Sequence, residues 1–440
     1  MNTESGNSFP ENTVLVVGAG VSGVCAALQC ARSGVRCLLI ERSGINGGTL
    51  ALSGIASPGL FFDWKGRQVI AGIGWELVHE CVETCGDTLP EFTRYRAEDF
   101  WRFEIPVDPV VFTALCDEKL LAEGVEVRYH TMLAGLQRQG NSWRATVCEK
   151  DGLQKVVVRC VIDCTGDANA VVQAGGRVRI PPVCQPGTSS VICSGINRAQ
   201  LIPEQMENDF RKEAAAGRIF PADLGWSKGY SDLFLSRNGT NANHINGING
   251  GDSRGRSTME ICGRLALLRS YRFLKRQPGC ENLHMQYAGL ECGVRESRTI
   301  VGEATVTDES YRTGAPMADP IAYAFYPMDL HDAEEGILNT QLVPGALPSV
   351  PRGALLPAGQ EGLLAAGRII SSTRKANAGL RIQAVCMATG QAAGAWAALA
   401  IRNDCPLREL PYEQLRAELL RCGAILPAVN TQSNHGNAGK

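Results

Sequence analysis

Gly18-Ala19-Gly20-Val21-Ser22-Gly23 sets three glycines at the spacing G-x-G-x-x-G, with a carboxylate, Glu41, further along. That combination suits the grip of a dinucleotide. Gly18 permits a sharp turn, Gly20 lets a pyrophosphate approach the backbone, and Gly23 lets a helix pack closely on a strand. A helix opening at this turn offers free N–H groups and the positive end of its dipole to the phosphates. Glu41 is placed to accept hydrogen bonds from the adenosine ribose hydroxyls. A second set of residues can move protons or hold anions. His244 and His331 are two of only 6 histidines, and Arg295 lies between them in the chain. Asp329 stands two residues before His331; in a strand the two side chains share a face, so the carboxylate would orient the imidazole.

The glycine motif means little without the elements around it, and these are present. Residues 14–17 are continuously apolar, as expected of a buried parallel strand. A helix is predicted over residues 24–33, ending at Gly34, and a second strand over 35–40 closes at Glu41. That is one βαβ unit. Further helices are predicted over 73–84 and 110–122, the latter opened by Asp108-Pro109. A strand follows over 125–129, then alternating stretches over 142–149 and 155–161 that read as a hairpin or meander. Between residues 179 and 351, Pro, Gly and Asn clusters interrupt the periodicity. Residues 363–366 read as a buried strand ending at Gly367. The helix expected over 384–401 is full of Ala and Gly, which implies close packing against backbone or cofactor. The expected fold is α/β: a Rossmann-like domain with a parallel sheet, helices and a β-meander from residues 1–180 and 352–440. An α+β substrate domain is inserted at 181–351.

Composition narrows the partners. The 440 residues are 44% hydrophobic and 20% charged, with a formal net charge of −2 and no Lys/Arg run. A nucleic-acid or anionic-membrane footprint is therefore not expected, and a small-molecule partner is. Residues 1–12 are polar and lack an apolar core, so no secretory signal is expected. No stretch matches the ~20 apolar residues of a membrane span, and a cytoplasmic location follows as the expectation. The 17 cysteines are scattered through apolar runs without a C-x-x-C pair or zinc-finger spacing, and read as free buried thiols. Residues 429–440 are polar and expected to be disordered.

Several further segments resemble the FAD-dependent oxidoreductases of the glutathione-reductase-like superfamily. Glu41-Arg42 with Gly47-Gly48-Thr49 is similar to the segment those proteins lay along the FAD ribose, pyrophosphate and isoalloxazine. Asp163-Cys164-Thr165-Gly166-Asp167 looks like their Asp-Ala-Thr-Gly-Asp strand end. Gly367-Arg368-Ile369, Ala378-Gly379-Leu380-Arg381 and Gly390-Gln391-Ala392-Ala393-Gly394 resemble the closing strand and helix. Gly293-Val294-Arg295-Glu296-Ser297-Arg298, Asn243-His244-Ile245-Asn246-Gly247 and Tyr326-Pro327-Met328-Asp329-Leu330-His331 resemble the branch related to fumarate reductase flavoproteins. The resemblance implies FAD as cofactor, held by Gly18, Gly20, Gly23, Glu41, Arg42, Gly48, Thr49, Thr165, Gly166, Asp167, Gly367 and Arg368, with the backbone of Leu133 against the adenine. Reduced flavin gathers negative charge at N1 and O2. Gly379 and Leu380, expected to open the last helix, would turn their N–H groups there, with Arg381 beside them.

Absences refine this reading. Cys25 and Cys30 have the C-x-x-x-x-C spacing of the disulfide reductases but fall inside the first helix, so thiol–disulfide chemistry is not expected. No second strand–GxGxxG–helix unit offers an NAD(P) domain. No His lies near Gly47-Gly48-Thr49, so noncovalent FAD is expected. A flavin that exchanges hydride with carbon needs an acid or base and a positive group beside it. His331 or His244 would move the proton, and Arg295 would anchor a carboxylate; Arg295 and Arg298 are expected to share a helix face with Glu296 nearby, an internal ion pair being the alternative to substrate binding. The expected reaction is two-electron dehydrogenation or reduction of a small organic substrate, with the electron acceptor or donor and the oligomeric state left open. A flavin-dependent oxidase or monooxygenase, a non-catalytic flavin-holding accessory subunit, and a thiazole-synthase-like fold binding NAD are the alternatives.

Overall fold

Val14, Leu15, Val16 and Val17 carry no polar side chain, so the strand they form needs cover on both faces and a partner on both edges. In a computed structural model, which describes residues 13–92, 97–287 and 289–428, they have both. β1 (Thr13–Val17) runs parallel to β2 (Arg36–Ile40) on one side and β7 (Cys160–Asp163) on the other. β3 (Glu126–Arg128) extends the sheet past β2, and the strand Leu363–Ala365 extends it past β7. The result is a 5-stranded parallel sheet. Val14 and Val16 face one core with α1 (Val21–Arg32) and the helix Gln383–Arg402. Leu15 and Val17 face the other, under Trp143, Val147 and Val158 of the antiparallel meander β4 (Met132–Gln139), β5 (Ser142–Glu149) and β6 (Gly152–Val158). This is the expected α/β architecture. The expectations for residues 1–12 and 429–440 lie outside the described residues.

Strand register decides where the motifs emerge. Val17 lies opposite Ile40 and Asp163, and Asp163 opposite Ala365. Residues 18–23, 41–49, 164–167 and 367–368 therefore all leave the sheet at the carboxyl ends of their strands. Open α/β sheets bind ligands at that edge.

The long apolar helix Gln383–Arg402 lies across α1 with no room between them. A Cβ at Gly390 would sit 2.0 Å from the Ser22 carbonyl oxygen, and one at Gly394 2.3 Å from that of Ala26. The small residues thus serve helix-to-backbone packing. The helix has the length and hydropathy of a membrane span, yet 89% of its most apolar window is buried inside the protein.

The stretch between β7 and the closing strand packs in two ways. Val191, Cys193, Phe210, Phe234, Phe273 and Leu283 make a core of their own, around a three-stranded antiparallel sheet and the helix Ser253–Leu274. Val306, Tyr311, Ile321, Phe325, Tyr326 and Val350 instead join the large core that holds Val14 and Val16.

Two local expectations fail. Gly379 and Leu380 do not open the long helix; they end a separate short one, Arg374–Leu380, and the long helix starts at Gln383 after an extended Ile382. A run of Ala, Gly and Asn has no periodicity to mark that break. Gly379 is small because Tyr311 packs on it: a Cβ would approach the Tyr311 hydroxyl to 2.3 Å. Residues 291–298 are not a helix either. Gly293 bridges Thr188 in extended form, exchanging hydrogen bonds of 2.8 and 3.0 Å. Arg295 and Arg298 consequently share no helix face. Glu296 pairs with Arg374 at 3.2 Å and accepts the Gln185 N–H at 2.8 Å.

Candidate functional site: a dinucleotide groove and a buried histidine pair

The glycine turn has the geometry its spacing demands. Gly18 has φ +98°, and a Cβ there would meet the Cys164 carbonyl oxygen at 2.7 Å. Gly23 touches the Gly18 carbonyl so closely that a Cβ would lie 1.8 Å from its oxygen. Gly20 differs: its Cβ would meet only the Gly48 Cα, at 3.9 Å, so this side of the turn is open to a ligand. Gly20 is also the N-cap of α1, and neither a side-chain cap nor an acidic residue occupies the first turn. The N–H groups at that end are left for an anion. Gly47 bridges Gly20 in parallel, its N–H bonded to the Ala19 carbonyl at 2.8 Å, and Gly48 and Thr49 continue along the turn. Gly367, at φ +82°, abuts the start of α1 at Ser22.

Glu41 is buried and already tied to the turn. One carboxylate oxygen accepts the Ala19 N–H at 2.8 Å; the other accepts the Ser43 N–H at 2.9 Å and the Ser43 hydroxyl at 3.0 Å. Fixed in this way, the carboxylate keeps acceptor capacity for ribose hydroxyls. Leu133 lies in β4, its side chain in the meander core and its carbonyl accepting from Gln173 at 3.1 Å.

Other residues of the expected cofactor set are committed to protein partners. Arg42 pairs with Glu291, as does Arg256 at 2.8 Å. Arg368 donates to the Gly166 carbonyl, to the Val294 carbonyl at 2.6 Å and to Asp167 at 2.6 Å. It thereby clamps the end of β7 to the segment carrying Arg295. Asp163, which spacing alone did not single out, ties that strand end together. It accepts the Thr165 N–H and hydroxyl at 3.0 and 2.7 Å and the Val171 N–H at 2.9 Å. Burial pushes its carboxyl up, against those hydrogen bonds.

Beyond the groove, the segment carrying Gly293 meets the chain just after Thr49. A Cβ at Gly293 would meet Ile55 and Ser53, and Gln383 donates to the Ile55 carbonyl at 2.8 Å. Among the described residues, Ser53 Oγ, Gln383 Oε1 and Arg381 Nε are buried without a hydrogen-bond partner. Leaving such an atom unsatisfied costs about 1–3 kcal/mol, so these atoms suit the polar groups of a bound heteroaromatic ring. The open glycine face, the uncapped helix and these partnerless atoms together fit FAD.

The candidate catalytic residues meet in one buried network. Asp329 and His331 share a face of the strand Met328–Asp332, with Nε2 of His331 3.1 Å from Asp329 Oδ2. Nδ1 of His331 lies 2.8 Å from Nε2 of His244, 87 residues away in the chain. Arg381 donates to the Asp329 carbonyl and carboxylate at 3.0 and 3.3 Å. Arg295 is buried and donates to the Pro186 carbonyl at 2.8 Å. Burial, then the charge of Arg381, pushes the Arg295 guanidinium down to about 9. Burial and Arg295 likewise push His331 down to about 4; burial, Arg295 and His331 push His244 down to about 2. Burial would raise Asp329, but the His331 hydrogen bond and the His331, Arg381 and Arg295 charges hold it near 2. At neutral pH the site thus contains two neutral imidazoles, one carboxylate and two guanidiniums.

Two neighbours gave no sequence signal because they belong to no motif or periodic run. Trp226 lies nearly parallel to the His244 ring at 6.3 Å and edge-on to His331 at 5.4 Å. Glu104 accepts the Tyr326 hydroxyl at 2.7 Å, and burial pushes its carboxyl up to about 7. His244 and Trp226 also stand on the wall of a cavity of about 590 Å³.

A parallel sheet with a glycine turn at its carboxyl edge defines a Rossmann-type dinucleotide-binding protein. The chain matches the family model for FAD dependent oxidoreductases over residues 13–419, and belongs to that family. It is an FAD-dependent oxidoreductase. No curated protein matches it. Solved structures with some likeness include p-nitrophenol 4-monooxygenase PnpA from Pseudomonas putida DLL-E4. That match has 13% identity, covers 93% of this chain and 89% of that one, and has a TM-score of 0.39. Another is CabE, an aromatic hydroxylase from angucycline biosynthesis, at 20% identity, 42% and 36% coverage and a TM-score of 0.28. A third is L-proline dehydrogenase from P.horikoshii, at 18% identity, 43% and 63% coverage and a TM-score of 0.30. The chain spans little more than a third of the aromatic hydroxylase's length. Overlaps this loose say nothing of the reaction.

Proposed function

We propose that the protein catalyses two-electron dehydrogenation, or the reverse reduction, of a small organic substrate carrying an anionic group such as a carboxylate. In this reading it sits in the fumarate reductase-related branch of the glutathione-reductase-like superfamily. FAD is bound noncovalently by residues 1–180 and 352–440, and residues 181–351 form the substrate domain. When bound, FAD supplies the two-electron exchange; the chain's own side chains do the rest. One observation carries the reading: the two candidate histidines are in direct contact, His331 is hydrogen-bonded to Asp329, and the buried Arg295 and half-buried Arg381 both place their charge on that one carboxylate. A proton acceptor and an unbalanced positive charge are what removal of hydrogen from an anionic substrate needs. Arg295 would anchor the anion, and His331 or His244 would move the proton. All 17 cysteines are free, which accords with a reducing compartment such as the cytoplasm.

The test is anaerobic bleaching of the holoprotein's flavin absorbance by a metabolite panel, with analysis of the product. The expected result is bleaching by one compound class without oxygen, the product having lost two hydrogens. Bleaching that needs a reduced nicotinamide, with an oxygen atom from O2 in the product, would establish the monooxygenase alternative instead.

A further inference from the structure

The hydrogen bonds of the His244–His331–Asp329 chain have their direction fixed from one end. Asp329 is ionised, so its carboxylate only accepts. Nε2 of His331, 3.1 Å away, must carry the hydrogen between them. Neutral His331 then has a bare Nδ1, and the Nε2 of His244 that lies 2.8 Å from it must be the donor. Neutral His244 has a single N–H, now spent on His331. Its Nδ1 is therefore a lone pair. That nitrogen has no hydrogen-bond partner among the described residues, and His244 lines the cavity of about 590 Å³.

We infer that the substrate docks in this cavity and yields its proton to Nδ1 of His244, with His331 and Asp329 as positioning residues that keep the lone pair turned toward it. The inference rests on the two-electron reading above and adds which histidine acts and where the substrate lies. Phe220, Trp226 and Ile245 give the cavity apolar walls, and Lys228, Asn246 and Asp332 give it polar ones. Its volume falls in the range of sites for drug-sized ligands. The fitting substrate class is a ring- or chain-bearing alcohol or amine; Arg295 does not line this cavity, so within it Lys228 is a cation that an anionic group on such a substrate would meet. In the transfer, the O–H or N–H bond breaks and Nδ1–H forms. The bonding pair stays on the heteroatom and becomes its second bond to carbon, as that carbon's hydrogen leaves with two electrons to the oxidised cofactor. Arg295 and Arg381 face the histidine pair and disfavour a lasting imidazolium, while Asp329 supplies the opposing charge through His331.

The first test needs no substrate. Ring-nitrogen NMR of 15N-histidine-labelled holoprotein, assigned by difference with His244→Gln, reports which nitrogen of each imidazole carries hydrogen. The expected pattern is a bare Nδ1 and a protonated Nε2 on His244 at neutral pH. Asp329→Asn retains an amide oxygen where Oδ2 accepts from both His331 and Arg381, so it should leave this pattern in place. A protonated Nδ1 on His244 in the wild type would overturn the assignment. The second test uses the compound that bleaches the flavin in the panel above. His244→Gln keeps the donor to His331 but has no base. It should slow bleaching by about 10²–10⁴-fold with the flavin spectrum unchanged. An unaltered rate with that compound overturns the base while leaving the two-electron reaction standing. A panel in which nothing bleaches the wild type removes the reaction and the base together, and the NMR alone then decides the hydrogen-bond order.

Discussion

At the scale of residues, the glycines of the first turn do different physical work, and substitution separates it. A methyl on Gly23 would sit 1.8 Å from a backbone oxygen, and backbone does not yield cheaply. Gly23→Ala should cost about 1–3 kcal/mol or more of stability, read as a lower melting temperature even without FAD. A methyl on Gly20 meets nothing nearer than 3.9 Å, and Gly20 has φ −63°, accessible to any residue. Gly20→Ala should leave the apoprotein's stability within about 0.5 kcal/mol but weaken FAD binding, because the methyl takes the phosphates' place. An apoprotein as damaged by Gly20→Ala as by Gly23→Ala would mean that this face is packed rather than open. The motif was legible in sequence because its spacing is set by one tight turn, in which Gly23 closes on the Gly18 carbonyl. The histidine pair was not, since only Asp329 and His331 are neighbours in the chain.

At the scale of elements, the crossing of α1 and the helix Gln383–Arg402 ties the C-terminal stretch to the phosphate grip. Gly390 lies on Ser22, in the first turn of α1, and Gly394 lies one turn further along, on Ala26. Alanine at either site forces the helices apart, at about 1–3 kcal/mol each. Gly390→Ala should also weaken FAD binding, because it displaces the helix end proposed to hold the phosphates. Gly394→Ala should lower stability with the smaller effect on FAD. Equal loss of FAD from both would disconnect the crossing from the site. Composition announced the close packing, but not that its partner is backbone. The break at residues 381–382 was hidden because the residues on either side have ordinary helical types.

At the scale of the whole molecule, the buried charges set how stability responds to pH. His244 and His331 have folded values below 6.5, so the unfolded chain takes up protons first and stability is lost as pH falls from about 6.5 toward the folded values. Glu104 acts in the opposite sense. Its folded value is raised to about 7, so its contribution is fully present below 4.5 and lost as pH rises through 7. Between about pH 4.5 and 6.5 the two histidines and Glu104 partly cancel, and these three groups by themselves contribute a slope near one proton, or about 1.4 kcal/mol per pH unit. Glu104→Gln removes the compensation, and the slope of unfolding free energy against pH should steepen toward twice that value. Denaturant unfolding across this range measures it, and an unchanged slope would show that Glu104 titrates as an ordinary surface carboxyl.

The sequence by itself determined the βαβ unit and the glycine turn proposed to grip the dinucleotide. These rest on strand period, turn chemistry and contacts between residues close in the chain, which leave a pattern in residue types. Tertiary structure alone decided that His244 meets His331, that Arg368 and Arg42 are occupied by protein partners, and that a cavity opens beside Trp226. Those outcomes depend on hydrogen bonds and packing between segments far apart in the chain, whose polar residues follow no period and can be satisfied in many ways until the fold chooses one.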